Sequence, residues 1–204
     1  MLLEVESSQL VLVDYQIKLM PAMKDAQAVW QRAELLAKTA KQLQVPVWAT
    51  EQNPSGLGET SPEIRQHCKR VLSKMAFSAV EEGLGEWLSP PAPAVPKGNA
   101  RSLPRHLQKP AEPESGPSVV IAGCEAHVCV LQTALQLLEE EFEVWVVTDA
   151  CGSRAERNLG RTVASKLRSG CVVGPRPTGF CSVASTGTSS KAASRASRCA
   201  LRRT

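Results

Sequence analysis

Short apolar runs alternate along the chain with longer amphipathic stretches. Four runs are rich in Val, Leu, Ile and Ala and end in polar residues: 8–16, 45–52, 118–124 and 143–151. Runs of this kind are typical of strands buried in a parallel sheet. Two stretches repeat apolar residues every three or four positions, at 25–44 and 129–141, and therefore predict amphipathic helices.

Weaker signals fill the space between these elements. We expect a short helix within residues 60–72, a short extended piece at 74–79, a helix over 156–169 and a last strand in "GCVVG". Strands that alternate with helices at this spacing predict an α/β fold, with a mostly parallel sheet between two helical layers. In such sheets, ligands bind at the carboxyl ends of the strands.

Two segments do not fit this alternation. Residues 90–117 contain eight of the 14 prolines, and residues 174–204 contain 25 Gly, Ala, Pro, Arg, Ser or Thr among 31 positions. Neither has enough apolar side chains to offset the entropy of ordering its backbone. We therefore predict one domain over residues 1–173 with a Pro-rich loop, followed by a disordered basic tail at 174–204.

Composition and charge narrow the classes of protein. A hydrophobic content of 43% is typical of a globular protein, and no apolar run approaches the roughly 18–20 residues of a membrane span. The N-terminus has early acids and no basic region before an apolar one, so we expect no signal peptide, no membrane partner and a cytoplasmic location. The first 156 residues carry 14 basic and 20 acidic residues, which argues against a nucleic-acid partner.

The stretch "GCEAHVCV" ends the third predicted strand and places Cys129 where the next helix begins. A helix N-terminus favours thiolate over thiol, and its unpaired N–H groups can hold an oxyanion. Cys129 is therefore a candidate nucleophile. The alternative is a small buried cysteine with no chemical role.

A nucleophilic thiol needs a proton acceptor and a nearby cation. Asp14 ends the first strand at the same edge of the predicted sheet, although a carboxylate there could equally cap a loop. Lys74 could stabilise the charges, but a single lysine is more often solvated. His127 offers a different base, in a Cys/His dyad.

Four segments together resemble the isochorismatase-like cysteine hydrolases: "LVLVDYQ", "VPVWATEQNPSGLG", "KMAFSA" and the stretch from "VVIAGCEAHVCV" to "TDACGSR". The "TEQ…P…GLG" loop is similar to that of a subgroup that includes the mammalian isochorismatase-domain proteins. The resemblance implies a catalytic triad of Asp14, Lys74 and Cys129. It also implies a cis peptide between Cys124 and Glu125, and an oxyanion hole built from the N–H groups of Glu125 and Cys129.

The resemblance further implies a metal-independent hydrolase that acts on a small-molecule substrate with an amide-like C–N bond. Related nicotinamidases bind a divalent ion through an Asp and two His after the second strand, whereas "TEQNPSGLGET" contains no His. We therefore expect no metal and no cofactor, with Gln16, Gln52 and His127 contacting the substrate. The family also implies a homo-oligomer, and the chain departs from it after "GCVVG", where we expect an atypical or missing C-terminal element. The alternative is a non-catalytic binding or scaffold protein of the same fold.

Overall fold

The computed structural model describes residues 3–89 and 117–155, together with the backbone of residues 172–173. Three predictions lie outside the described residues: nearly all of the Pro-rich loop at 90–117, the helix over 156–169 and the basic tail at 174–204. The domain boundary after residue 173 also stays a prediction for this reason.

One sheet organises the described part of the chain. Its strands are β1 (Ser8–Val13), β2 (Val47–Gln52), β3 (Arg70–Lys74), β4 (Ser118–Gly123), β5 (Glu143–Val146) and β6 (Val172–Val173). They lie in the order β3-β2-β1-β4-β5-β6, and each of the five neighbouring pairs is parallel. The predicted α/β class is confirmed, and among the described strands the sheet is parallel throughout rather than mostly so.

Helices cover both faces of this sheet. The described helices are α1 (Ala26–Gln42), α2 (Pro54–Leu57), α3 (Pro62–Arg65), α4 (Leu84–Leu88) and α5 (Leu131–Glu139). The connection through α1 moves from β1 towards one edge of the sheet, and the connection through α5 moves from β4 towards the other. Right-handed crossovers in opposite directions place α1 and α5 on opposite faces.

The core lies between the sheet and these helices. Every residue of β4 is buried, as expected for a central strand covered on both faces. Helix α1 buries a stripe at spacings of three and four residues, and it ends before Leu43, which is 51% exposed. The buried stripe consists of Val29, Ala33, Ala37 and Ala40.

The segment between β2 and β4 differs from the prediction. The helix expected within 60–72 is confined to α3, and the extended piece expected at 74–79 is instead β3, which ends at Lys74. As an edge strand, β3 exposes Arg70 and Ser73, so its sequence "RVLSK" lacks the continuous apolar run of a central strand. Lys74 consequently stands at the carboxyl end of a strand.

Two other boundaries also moved. The helical segment expected from Cys129 begins three residues earlier, with a wide helical turn at Ala126–Val130 that continues into α5. The strand expected over 143–151 ends at Val146 and is followed by a tight turn at Thr148–Ala150.

Close approach of β1 and β4 fixes the position of the site. A Cβ atom added to Gly123 would lie 2.3 Å from the carbonyl oxygen of Val13, so only glycine allows this spacing. The same carbonyl accepts a hydrogen bond of 2.9 Å from the N–H of Cys124. The residues that follow β1 and β4 are therefore held side by side at the carboxyl edge of the sheet.

Candidate active site

Asp14 follows β1 directly and is fully buried. Its backbone has a φ of 57°, an uncommon left-handed conformation for a residue other than glycine, and its N–H donates to the carbonyl of Thr50 at 3.1 Å. The Thr50 hydroxyl donates to Asp14 Oδ1 at 2.7 Å. The carboxylate is thus held in a dry environment by the neighbouring strand β2.

Lys74 reaches Asp14 from β3, across the end of β2. Its Nζ lies 2.9 Å from Asp14 Oδ2, and both side chains have no solvent exposure. Nζ also donates to Gln52 Oε1 at 2.7 Å and lies within 3.3 Å of the carbonyl oxygens of Ala76 and Phe77. A buried ion pair is tolerated only when further hydrogen bonds satisfy its polar atoms, and this pair has them.

Cys129 completes the cluster from the helical turn Ala126–Val130. Its thiol hydrogen-bonds to the Asp14 carboxylate, and the backbone N–H of Glu125 bonds to its sulfur. Burial and the negative charge of Asp14 raise the pKa of the Cys129 thiol to about 12, although Lys74 and the Glu125 N–H oppose the shift. This direction is opposite to the thiolate that a helix N-terminus favours, and it indicates a resting thiol that is hydrogen-bonded to the Asp14 carboxylate.

The peptide bond between Cys124 and Glu125 is cis, at the position implied by the resemblance. The Glu125 N–H, which belongs to this bond, is the group that reaches the Cys129 sulfur. The Cys124 side chain has a different environment: it is fully buried, and its sulfur lies 3.5 Å from the sulfur of Met20. Cys124 thus contributes its backbone to the site, while its side chain packs in the core.

Glu125 carries its side chain to the rim of the site. One carboxylate oxygen contacts Arg154 Nε, and the other lies 3.3 Å from His127 Nδ1. The Glu125 side chain is only 7% exposed, whereas that of Arg154 is 67% exposed. His127 therefore pairs with a carboxylate beside the site, while Asp14 contacts the thiol directly.

The two glutamines expected to contact substrate hydrogen-bond to groups at the ends of three strands. Gln16 is fully buried, and its amide bonds to the backbone N–H and carbonyl of Gln52 and to the carbonyl of Gly58. Gln52 accepts from Lys74 and donates to the carbonyl of Met75 at 2.8 Å. With these bonds, Gln16 and Gln52 link the ends of β1, β2 and β3, and their contact with a substrate stays a prediction.

Sequence reasoning missed Thr50 and Arg154. Thr50 precedes Gln52 by two residues, so the two side chains lie on the same face of β2. The polar cluster "TEQ" at the end of an apolar run was therefore the available signal for Thr50. Arg154 gave no such signal, because it reaches Glu125 through the parallel pairing of Cys124 with Gly152, which only the fold reveals.

The described residues offer neither a metal centre nor a membrane span. Within residues 3–89 and 117–155, no group of three or more His, Cys, Asp or Glu side chains is placed to hold a metal ion. Among the helices in the described part of the chain, none is both long and apolar enough to cross a bilayer.

At the carboxyl ends of its strands, this parallel α/β sheet brings a cysteine, an aspartate and a lysine together. This places the chain among α/β proteins with a candidate cysteine nucleophile. Residues 8–173 match the isochorismatase domain, and the chain belongs to the isochorismatase domain family. It is 36% identical to isochorismatase domain-containing protein 2 of Rattus norvegicus over 165 residues, which are 81% of this chain and 68% of that protein. Its identity to the Homo sapiens protein of the same name is 34% over 167 residues, or 80% of this chain and 69% of the relative.

Solved structures share the fold. The MAR1 ribonuclease of Caenorhabditis elegans superposes with a TM-score of 0.62 at 27% identity, covering 81% of this chain and 74% of that one. A nicotinamidase of Staphylococcus aureus gives a TM-score of 0.62 at 16% identity, covering 83% and 99% of the two chains. At that identity the similarity to the nicotinamidase shows the fold alone.

Proposed function

We propose that this protein is a metal-independent cysteine hydrolase that cleaves a small amide-like C–N bond through Asp14, Lys74 and Cys129. One observation carries the proposal: a thiol, a carboxylate and an ammonium group form one buried, hydrogen-bonded cluster. A nucleophile that contacts its own base, with a cation beside the base, is the arrangement that covalent hydrolysis of an acyl group requires.

The raised pKa of the thiol determines when the proton leaves Cys129 relative to its attack on the substrate. Because Cys129 rests as a thiol, its proton passes to Asp14 as the sulfur attacks the substrate carbonyl carbon. The carbonyl oxygen becomes an oxyanion and accepts the Glu125 N–H, with the Cys129 N–H as the expected second donor. Lys74 balances the charge of Asp14 before the proton arrives.

The remaining steps return the protein to its starting state. The tetrahedral intermediate collapses, the C–N bond breaks, and the amine leaves with the proton from Asp14. Water then attacks the thioester carbon and gives a proton to Asp14. The C–S bond breaks, the acid departs, and the proton returns to the Cys129 sulfur. No reactant other than water is consumed.

The site favours small substrates, because Asp14, Lys74 and Cys129 are all buried. A carbonyl carbon must approach the sulfur while its oxygen faces the Glu125 N–H. We also propose a cytoplasmic, homo-oligomeric protein. An Escherichia coli protein that shares the fold, with a TM-score of 0.66 at 20% identity, is described as an octameric hydrolase.

Trapping the acyl-enzyme tests the proposal. Purified protein is incubated with a panel of small amides and ureas, released amine or ammonia is measured, and quenched samples are examined by peptide mass spectrometry. We expect turnover with at least one compound and an acyl adduct on Cys129. The matched control is Cys68→Ser, which removes a half-buried thiol remote from the cluster and should change nothing.

The alternative is a non-catalytic binding protein of the same fold. It predicts a ligand that stabilises the protein without turnover, and no adduct on Cys129 with any compound in the panel. His127 offers a second discriminating variant if the protein is an enzyme. If His127→Ala abolishes turnover while Asp14→Asn retains it, a Cys129/His127 dyad replaces Asp14 as the source of the base.

A further inference from the structure

We propose that Thr50 is a positioning residue that holds the Asp14 carboxylate in the orientation needed to exchange a proton with Cys129. The proposal rests on the proposed function, because the base that Thr50 would position is the one assigned there. Thr50 hydrogen-bonds to the Asp14 carboxylate, and it acts on Cys129 through that carboxylate.

Thr50 holds Asp14 at two points. The Thr50 carbonyl accepts the Asp14 N–H at 3.1 Å, and the Thr50 hydroxyl donates to Asp14 Oδ1 at 2.7 Å. The first contact continues the β1–β2 pairing, in which Val13 lies opposite Thr50. The second contact is additional to the sheet and fixes the rotation of the carboxylate.

The two carboxylate oxygens have different partners. Lys74 binds Oδ2 from β3, and Thr50 binds Oδ1 from β2. Lys74 alone would leave the carboxylate able to turn about its Cβ–Cγ bond, because a single contact does not fix a plane. Two donors on different oxygens define that plane, and the Cys129 thiol then meets the carboxylate in one orientation.

The choice of residue agrees with this role. Thr50 is fully buried, so water does not compete for its hydroxyl or for Asp14. A β-branched side chain also has a restricted χ1 angle, which aims the hydroxyl in one direction. Valine would have the same shape without the donor, and serine would keep the donor with less restraint.

The experiment measures alkylation of Cys129 by iodoacetamide as a function of pH, read by peptide mass spectrometry, and so needs no natural substrate. The titratable groups around Asp14 are Lys74 from β3, Cys129 from the helical turn and Cys124 after β4. Negative charge on Asp14 suppresses the thiolate of Cys129. Thr50→Val leaves that charge less compensated, so we expect about three- to tenfold slower alkylation at a fixed pH near 8 and a profile moved to higher pH.

Three further variants make the test specific. Thr50→Ser should restore the wild-type profile, since it returns the hydroxyl. Thr60→Val is the matched control, because Thr60 is also buried but its hydroxyl has no partner within the described residues. In an Asp14→Asn background, Thr50→Val should cause no further shift, since the charge on which it acts is gone.

Several results would overturn the proposal. A wild-type profile for Thr50→Val would do so, as would a shift that persists in the Asp14→Asn background, because either shows that Thr50 does not act through the carboxylate. If Thr50→Val fails to fold, Thr50→Ala carries the same test without the buried methyl contacts. The proposed function fails separately: Asp14→Asn should move the profile to lower pH, and an unchanged profile would remove Asp14 as the partner of Cys129.

Discussion

Two cysteines five residues apart show how the surroundings of a thiol decide its chemistry. Cys124 follows β4 and Cys129 lies in the helical turn, and both are buried. Burial and the neighbouring Cys151 raise the pKa of Cys124 well above its ordinary value, and its sulfur packs against Met20. Cys129 also has a raised pKa, but a carboxylate, a cation and a backbone N–H surround it. Both thiols lie near Asp14, but Cys129 hydrogen-bonds to its carboxylate whereas Cys124 packs against Met20. We therefore expect Cys129, and not Cys124, to give up its proton to that base.

Removing each of the two thiols in turn should give the largest effect. We expect Cys129→Ala to reduce turnover by at least about a thousandfold, because the nucleophile is lost and only binding and the oxyanion donor remain. Cys124→Ala should retain turnover within about threefold, since only core packing changes. Steady-state rates with the best compound from the amide panel measure both. Comparable losses in the two variants would show that packing, and not the nucleophile, explains the effect of Cys129→Ala.

Removing the cation should be the next largest effect, and it should appear in stability as well as in turnover. Lys74→Met leaves Asp14 buried without its ionic partner, and breaking a buried pair in this way costs about 3–5 kcal/mol. Urea unfolding at pH 7 measures the change in the free energy of unfolding. Lys38→Met is the control, because Lys38 pairs with Glu34 on the surface of α1 and should cost less than about 0.5 kcal/mol. Equal costs for the two variants would contradict the buried, fully satisfied pair.

The pH dependence of labelling sharpens the contrast between a resting thiol and a resting thiolate. Because the pKa of Cys129 is raised to about 12, the thiolate fraction is small at neutral pH and grows as pH rises towards that value. We expect the alkylation rate of Cys129 by iodoacetamide to increase about tenfold per pH unit between pH 7 and 9. Cys68, whose burial raises its pKa to about 11, is an internal reference. If the alkylation rate of Cys129 instead reached a plateau near pH 7, the thiol would have the low pKa that the helix N-terminus suggested.

A chelator should have the smallest effect. In the proposed chemistry Lys74 supplies the positive charge beside Asp14, so incubation with EDTA should leave turnover unchanged. The measurement is the rate before and after dialysis against EDTA, with added zinc or iron as the reversal. A loss that metal restores would require a set of metal ligands in addition to Asp14, Lys74 and Cys129.

Apolar runs made most of the sheet predictable. β1, β2, β4 and β5 each lie within a run found in the sequence, because central strands are buried on both faces. The predicted position of β3 was wrong by several residues. An edge strand is partly exposed to solvent, so its sequence has no continuous apolar run. The wide turn at Ala126–Val130 was hidden for another reason: its residues are as apolar as those of the helix that follows.

The candidate site was predictable in its membership but not in its hydrogen bonds. Asp14, Lys74 and Cys129 were named from strand ends and from a family resemblance, and the structure places them in one cluster. The interior roles of Gln16 and Gln52 depend on which backbone groups face them, which sequence spacing does not specify. The raised pKa of Cys129 likewise reflects burial and a neighbour from a distant strand.

The cluster of Asp14, Lys74 and Cys129 depends on several strands being paired at the same time. Asp14 and Lys74 are separated by 60 residues along the chain, and Thr50 lies 36 residues from Asp14. Closing such loops costs entropy that no local helix or hairpin repays, so the contacts form only when β1, β2, β3 and the turn after β4 have assembled. A partly folded chain would expose Cys129 as an ordinary surface thiol, reactive with any alkylating agent. We therefore expect the reactivity of this sulfur to report whether β1, β2, β3 and the turn after β4 are assembled together.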